Sequence, residues 1–186
     1  VTVLTRQWLD DQALPDLHAV LKNTTGVTVD YIDSERINYY ARGYQIDSLQ
    51  IDGLGINQVT SAATFIQPDT AMLDRVEVLR GASGLLRGAG NPSAVVNMVR
   101  KRATAQFQGS AALTLGSWDR RRLEADLSGP VNAAGTLRAR LVALSDDKAA
   151  FQSARHEDRQ SIYAVLEADI APGTRLTASL QHTALG

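Results

Sequence analysis

Between residues 105 and 186, apolar and polar side chains alternate in five segments of about ten residues each. A chain with that period separates the two kinds of side chain only as β-strand. In the first segment Ala111, Leu113 and Leu115 share one face, and Ala112, Thr114 and Gly116 share the other. The second sets Leu123, Ala125 and Leu127 against Arg122, Glu124, Asp126 and Ser128. In the third, Leu137, Ala139, Leu141 and Ala143 oppose Arg138, Arg140, Val142 and Leu144. Ile162, Ala164, Leu166, Ala168 and Ile170 of the fourth oppose Ser161, Tyr163, Val165, Glu167 and Asp169. The fifth sets Leu176, Ala178 and Leu180 against Arg175, Thr177, Ser179 and Gln181.

Two architectures accept such strands: a membrane barrel, apolar outside and hydrated inside, or a soluble sandwich with one wet face. The apolar faces are Leu, Ala and Ile without interlocking aromatics, and the connections are asymmetric, which favours the membrane. Residues 146–158 read as one long loop, with the acidic pairs Asp146-Asp147 and Glu157-Asp158 as solvated charge, whereas 129–135 and 171–173 read as short turns. A one-residue slip of the second strand would turn Arg122, Glu124 and Asp126 into lipid. At about 2–4 kcal/mol for an arginine at mid-bilayer, register is firmly set.

The chain has 19 basic and 20 acidic residues, a net charge of −1, which gives no indication of a nucleic-acid partner. No apolar run is long enough for a transmembrane helix, a statement that leaves a β-barrel open. Cysteine is absent, as in many exported proteins. Residues 1–5 read as a strand rather than as a signal peptide.

Residues 1–104 are patterned differently. Leu14, Leu17, Val20 and Leu21 fall at helical spacing, with Pro15 expected in the first turn, Asp16 near the positive helix end, and Asn23 and Gly26 as stops. Residues 27–32 return to strand, giving a β-α-β opening. Further on, 74–104 reads DRVEVLRGASGLLRGAGNPSAVVNMVRKRAT: a strand over 75–80, a loop with four glycines over 81–92, and a second strand over 94–99. Common soluble motifs do not fit this stretch. Gly81-Ala82-Ser83-Gly84-Leu85 is not a nucleophile elbow, no Lys-Ser or Lys-Thr follows the glycines, and AVVNMV is too β-branched and short for a dinucleotide-binding helix.

This stretch resembles the plug domain of TonB-dependent outer-membrane receptors of the siderophore branch, where DRVEVLRG followed by GATGLLxGAGNPSAxxNxVRKRPT-like text is the most recognisable segment. The resemblance extends over Tyr39-Tyr40-Ala41-Arg42-Gly43-Tyr44 and Ile51-Asp52-Gly53, and over GSWD, SGPVNAAGTLRARLVA and VLEADIAPGTRLT. It implies an α+β plug domain over 1–104, followed over 105–186 by the first strands of a large antiparallel transmembrane β-barrel, about five of them, with the barrel incomplete. Receptors of this kind close at about 22 strands, and open edges in lipid leave costly unpaired amides. We therefore expect a piece of a longer receptor whose TonB-contacting segment precedes Val1.

The function implied is import of a ferric siderophore across the bacterial outer membrane, energised by TonB, with iron arriving as part of the ligand and no cofactor. Partners implied are the ferric siderophore, TonB with its inner-membrane complex, and outer-membrane lipid. By position, Arg42, Tyr44, Gln45, Gly55 and Ile56 become candidates for ligand contact. Arg42 either engages siderophore oxygens through its guanidinium fork or pairs with a carboxylate and shapes the loop. Tyr39, Tyr40 and Tyr44 either line a pocket or belong partly to the core. Arg80 matches the arginine that barrel glutamates hold in the family, locking the plug. Arg87 and the Arg100-Lys101-Arg102 run need some role besides surface charge. His18, His156 and His182 have no metal-ligand spacing. Another cargo, such as a cobalamin or an oligosaccharide, is the alternative. An outer-membrane barrel enzyme is a third reading, without a nucleophile–histidine pair to support it.

Overall fold

Thr5 ends the first strand and caps the first helix, its hydroxyl accepting from the amide of Trp8. The computed structural model describes residues 1–31, 37–56, 68–81, 92–149 and 156–186, in two compact units, Val1–Arg100 and Lys101–Gly186. Lys101 and Arg102 bond to strands of the second unit.

In the first unit β1 (Thr2–Thr5) leads into α1 (Arg6–Asp11) and α2 (Leu17–Lys22). Then come β2 (Thr28–Tyr31), β3 (Ile37–Ala41), β4 (Tyr44–Gln45), β5 (Ser48–Ile51) and β6 (Leu54–Gly55). A 3-10 turn at Thr70–Met72 precedes β7 (Leu73–Arg80) and β8 (Ala94–Arg100). One sheet runs β1-β7-β8-β5-β6 and a second β2-β3-β4. Leu9, Leu17, Val20, Leu21, Leu49, Val76, Val78, Val96 and Met98 are buried between helices and strands. The pattern of 14–21 located α2, but Asp16 is its N-cap, accepting from Ala19 at 2.8 Å, so Pro15 precedes the helix rather than occupying its first turn. Helix α1 escaped notice because it buries one residue, Leu9, and one anchor has no period. Residues 82–91 of the glycine-rich loop, Arg87 among them, lie outside the described residues.

The second unit is one antiparallel sheet in the order β13-β12-β11-β10-β9. Its strands are β9 (Gln108–Leu115), β10 (Arg121–Pro130), β11 (Leu137–Ala149), β12 (His156–Ala171) and β13 (Thr174–Leu185). Registers bring like faces together: Leu113 opposes Leu123, Leu127 opposes Leu141, and Leu141 opposes Ala164. The polarity is inverted relative to a water-soluble sheet. Leu113 is 67% exposed, Leu176 61% and Leu180 69%, whereas Arg122 and Glu167 on the other face are 4% and 0% exposed. That other face is laced with ion pairs, among them Arg122–Asp146, Arg140–Asp126 and Arg138–Asp169.

The long loop read over 146–158 is shorter than expected. Strands β11 and β12 pair from Leu137↔Ala168 to Ala149↔His156, which places Asp146 and Glu157 within the ladder. Asp146 is buried and accepts from Arg120 and Arg122, so it is ion-paired charge rather than solvated charge. Alternation failed to reveal this because both faces at that end are polar.

Candidate functional site

Ala41 is buried and ends β3; the next two residues, Arg42 (φ 57°) and Gly43 (φ 81°), both occupy the left-handed region. Two such residues in succession make the tight turn whose twist suits a hairpin. Glycine adopts it freely, but a side chain there is uncommon. Arg42 is thus carried on a strained corner, with exposed Tyr44 and Gln45 beginning the return strand. Gln45 donates to the Asn38 side chain at 3.0 Å, inside its own hairpin.

Asp52 (φ 51°) and Gly53 (φ 81°) form a second turn of the same kind, but at the opposite end of the larger sheet. Strand β5 runs parallel to β8, so the Asp52 amide donates to Met98 and the Asp52 carboxylate accepts from Arg100. Arg80, by contrast, pairs with Ala94 at the other end of β8. Gly55 pairs with Gln50, and half-buried Ile56 packs on the hydrophobic core. The five candidates therefore divide: Arg42, Tyr44 and Gln45 share one hairpin, while Gly55 and Ile56 belong to or adjoin the other sheet.

What the fold brings together is Arg42 and Arg80, which sequence reading assigned to separate roles. Both line a cavity of about 530 Å³ with Val1 and Gly26. Nη2 of Arg80 donates to the Thr2 hydroxyl at 2.8 Å, and Nη1 donates to the Thr25 carbonyl. Nη1 of Arg42 lies 3.4 Å from where a Cβ on Gly81 would stand, and Nη1 of Arg80 lies 2.6 Å from the same point on Gly26. Among the described residues no carboxylate lines the cavity, so two guanidinium groups face space suited to an anion. No motif announces this convergence: the pairing of β1 with β7 at Thr2↔Val78 brings Arg80 beside the first residues of the chain, and Arg42 reaches toward Gly81 from the separate β2-β3-β4 sheet.

Of the three tyrosines considered for a pocket, Tyr39 is core, 5% exposed, while Tyr44 is 51% exposed. His18 on α2 meets the hydroxyls of Tyr31 at 3.0 Å and Tyr39 at 3.3 Å through its two ring nitrogens. Burial holds its imidazole below the usual histidine range, Lys22 adds to that, and Asp16 opposes it. In the middle of β7, Glu77 accepts from Asn97 and from Arg75, which keep its carboxyl below the ordinary range.

The family profile described as TonB-dependent Receptor Plug Domain matches residues 1–95. The chain belongs to the TonB-dependent receptor plug family. Among relatives of this plug, the ferripyoverdine receptor of Pseudomonas aeruginosa is 42% identical over 98% of this chain and 23% of its own length. The crystal structure of that organism's outer-membrane ferripyoverdine receptor bound to ferripyoverdine superposes with a TM-score of 0.92. At 42% identity it covers 98% of this chain and 24% of its own. The alcaligin outer-membrane receptor of Bordetella pertussis gives a TM-score of 0.86 at 40% identity, over 99% of this chain and 32% of its own. The chain thus spans about a quarter of the length of the relatives it matches. The α+β plug followed by antiparallel strands of an unclosed barrel is the fold of these receptors' corresponding portion.

Proposed function

We propose that this chain is the plug and first five strands of an outer-membrane receptor that binds a ferric siderophore at the cell surface and imports it with energy delivered through TonB. The observation that carries the reading is the inverted sheet. Leucine rows stand exposed on one face while arginines and carboxylates pair on the other, as lipid outside and a hydrated lumen inside require. Among the described residues strands β9 and β13 present unpaired edges, and further strands closing a barrel satisfy such edges in lipid.

Within that reading Arg42 meets anionic or oxygen-rich ligand groups, with Tyr44 and Gln45 beside it on the hairpin. Gly55 offers backbone without a side chain, and Ile56 contributes shape, since its side chain packs inward. Arg80 acts as the lock, with carboxylates from strands outside this chain as its partners. Iron enters wrapped in its chelator, no cofactor takes part, and transport needs no covalent step. Relatives at 42% and 40% identity carry the names of receptors for two different siderophores, ferripyoverdine and alcaligin.

The test is uptake of radiolabelled iron by a strain lacking the receptor, restored with the full-length gene and offered ferripyoverdine, ferric alcaligin and ferrioxamine in turn. Uptake that depends on TonB with one of them supports the assignment. Uptake of cobalamin or an oligosaccharide in its place sinks the siderophore reading while leaving the receptor fold intact.

A further inference from the structure

On the leucine face of the second unit, each strand changes from apolar to polar at its own height. Directly across the sheet from Leu115 of β9 stand Arg121, Asp147, Asp158 and Gly186. The unbroken apolar run of that face ends at Leu115 on β9, Leu123 on β10, Ala143 on β11, Ile162 on β12 and Leu180 on β13. Measured from the row through Leu115, these ends fall short by none, two, four, four and six residues. The next residue of the same face is polar and exposed on four strands: Arg121, Ser145, Gln160 and His182. Six residues at about 3.3 Å each, over four interstrand gaps of about 4.8 Å, give a slope of about 45°. The other margin of the apolar band runs parallel. Phe107 lies against Gly129, which is in register with Ala139 and Leu166, and Ile170 stands four residues past Leu166 on β12. Four residues over three gaps give about the same angle.

We infer that the cell-surface lipid–water boundary crosses the sheet along Arg121, Ser145, Gln160 and His182, and that these four side chains form a ledge for the phosphate head groups of lipid. The inference rests on the receptor reading, in which the short turns after β10 and β12 face the periplasm. Strands of a membrane barrel tilt by about 35–45°, so a flat slab crosses their registers on just such a slant. Two parallel margins at the strands' own tilt are the outline of a slab, and neither a protein partner nor a second copy imposes that outline. At this tilt the eight residues from Ile162 to Ile170 cover about 19 Å of depth, and with their side chains they approach an apolar band of about 25 Å. Trp118, 57% exposed in the turn after β9, adds an aromatic ring at the upper margin. Guanidinium, hydroxyl, amide and imidazole can all donate to phosphate oxygens. The acids Asp147 and Asp158 come only at the next position outward on β11 and β12. Gln160 donates one N–H to Asp158 at 3.3 Å, and its amide carries a second.

The test places nitroxide labels in the full-length receptor, refolded into phosphatidylglycerol–phosphatidylethanolamine vesicles, at Leu123→Cys, Gln160→Cys and Leu180→Cys in turn. Collisions with oxygen and with a water-soluble nickel chelate report the depth of each label. Leu123 and Gln160 belong to one row across the sheet, yet the Gln160 label should lie about 7 Å nearer the surface. Leu180 is four residues lower along the strands than Leu123, yet the two labels should agree within about 3 Å. Equal depth at Leu123 and Gln160 overturns the slanted boundary, and so does dipolar broadening between copies, which would put a second receptor on this face. Water around both the Leu123 and Leu180 labels sinks the receptor reading itself, an outcome distinct from a wrong slope with both labels in lipid. For the ledge, Gln160→Ala/His182→Ala should lower the ratio of folded to unfolded protein about tenfold in those vesicles, by urea titration. In maltoside micelles, whose head group has no phosphate, the ratio should stay within about twofold of wild type. His182→Ala alone, with a loss of about threefold in vesicles, serves if the double variant does not fold. Equal losses in vesicles and micelles, or none in either, overturn the head-group role.

Discussion

Arg80 and Thr2 are joined by a hydrogen bond of 2.8 Å from guanidinium to hydroxyl, which ties the end of β7 to the start of the chain's first strand. The same guanidinium holds the Thr25 carbonyl after α2. Three segments that are distant in sequence therefore meet at one cation. Arg42 faces the cavity beside it.

Replacing Arg80 with alanine should loosen β1. Hydrogen bonds of this kind contribute about 1 kcal/mol each, so amide exchange over Thr2–Thr5 in the full-length receptor should quicken roughly fivefold to tenfold. Arg80→Lys keeps the charge but lacks the planar fork, and should fall between. Unchanged exchange in both variants would show that strand pairing with β7 holds β1 without help.

Arg42→Gly should separate the backbone role of this position from its chemical one. Glycine relieves the left-handed strain at φ 57° and should leave thermal stability equal or slightly higher, within about 1 kcal/mol. Siderophore affinity should fall about tenfold or more, the loss of one charge-assisted contact. Isothermal titration gives the affinity and calorimetry the stability. Affinity equal to wild type would assign Arg42 to loop shape alone.

Gly26→Ala places a methyl group 2.6 Å from Nη1 of Arg80 at a residue whose φ is +77°. The arginine tip can swing aside, but the backbone remains strained, at a cost of about 1 kcal/mol or more. Displacement of Arg80 from Thr25 should reproduce the faster β1 exchange of Arg80→Ala. A Gly26→Ala protein with normal exchange would mean that Arg80 finds an equivalent hold.

His18 predicts a pH dependence. Its folded-state pKa lies below the ordinary value of about 6.5, chiefly through burial, so the unfolded chain binds the proton more readily. Stability then rises with pH. The loss begins as pH falls below about 6.5 and is complete once pH passes the lower folded-state value. Amide exchange along α2 should quicken over that window, and His18→Gln should flatten the profile. The opposite slope would mean that Asp16 outweighs burial.

Leu141→Arg on the exposed leucine face should lower the yield of folded receptor in membranes, by about 2–4 kcal/mol if Leu141 sits near the bilayer midplane. Ser179→Arg on the opposite face should be tolerated far better. Urea titration of receptor refolded into lipid vesicles measures both. Equal tolerance would argue against lipid on the leucine side.

Much of the second unit could be read directly, because alternation is a local property. Each strand from β9 to β13 shows its two faces in its own text, and register follows from matching them. The plug's identity was legible as a resemblance carried by the glycine-rich stretch and by the text around Arg42-Gly43 and Ile51-Asp52-Gly53, and the turn at Asp52-Gly53 could be read from its residue types. Helix α1 and the pairing of Asp146 with Arg120 and Arg122 left no such trace. One buries a single residue, and the other lies where both faces are polar.

Nor did the sequence hold any sign that Arg42 and Arg80 would share a cavity, or that Lys101 and Arg102 would be fastened to Asp126 and Glu167. Local patterning settles which side of a strand each residue occupies. Which strands become neighbours, and so which charges face one another, depends on long-range pairing such as β1 with β7 and β5 with β8, and no residue's nearest neighbours in the chain encode it.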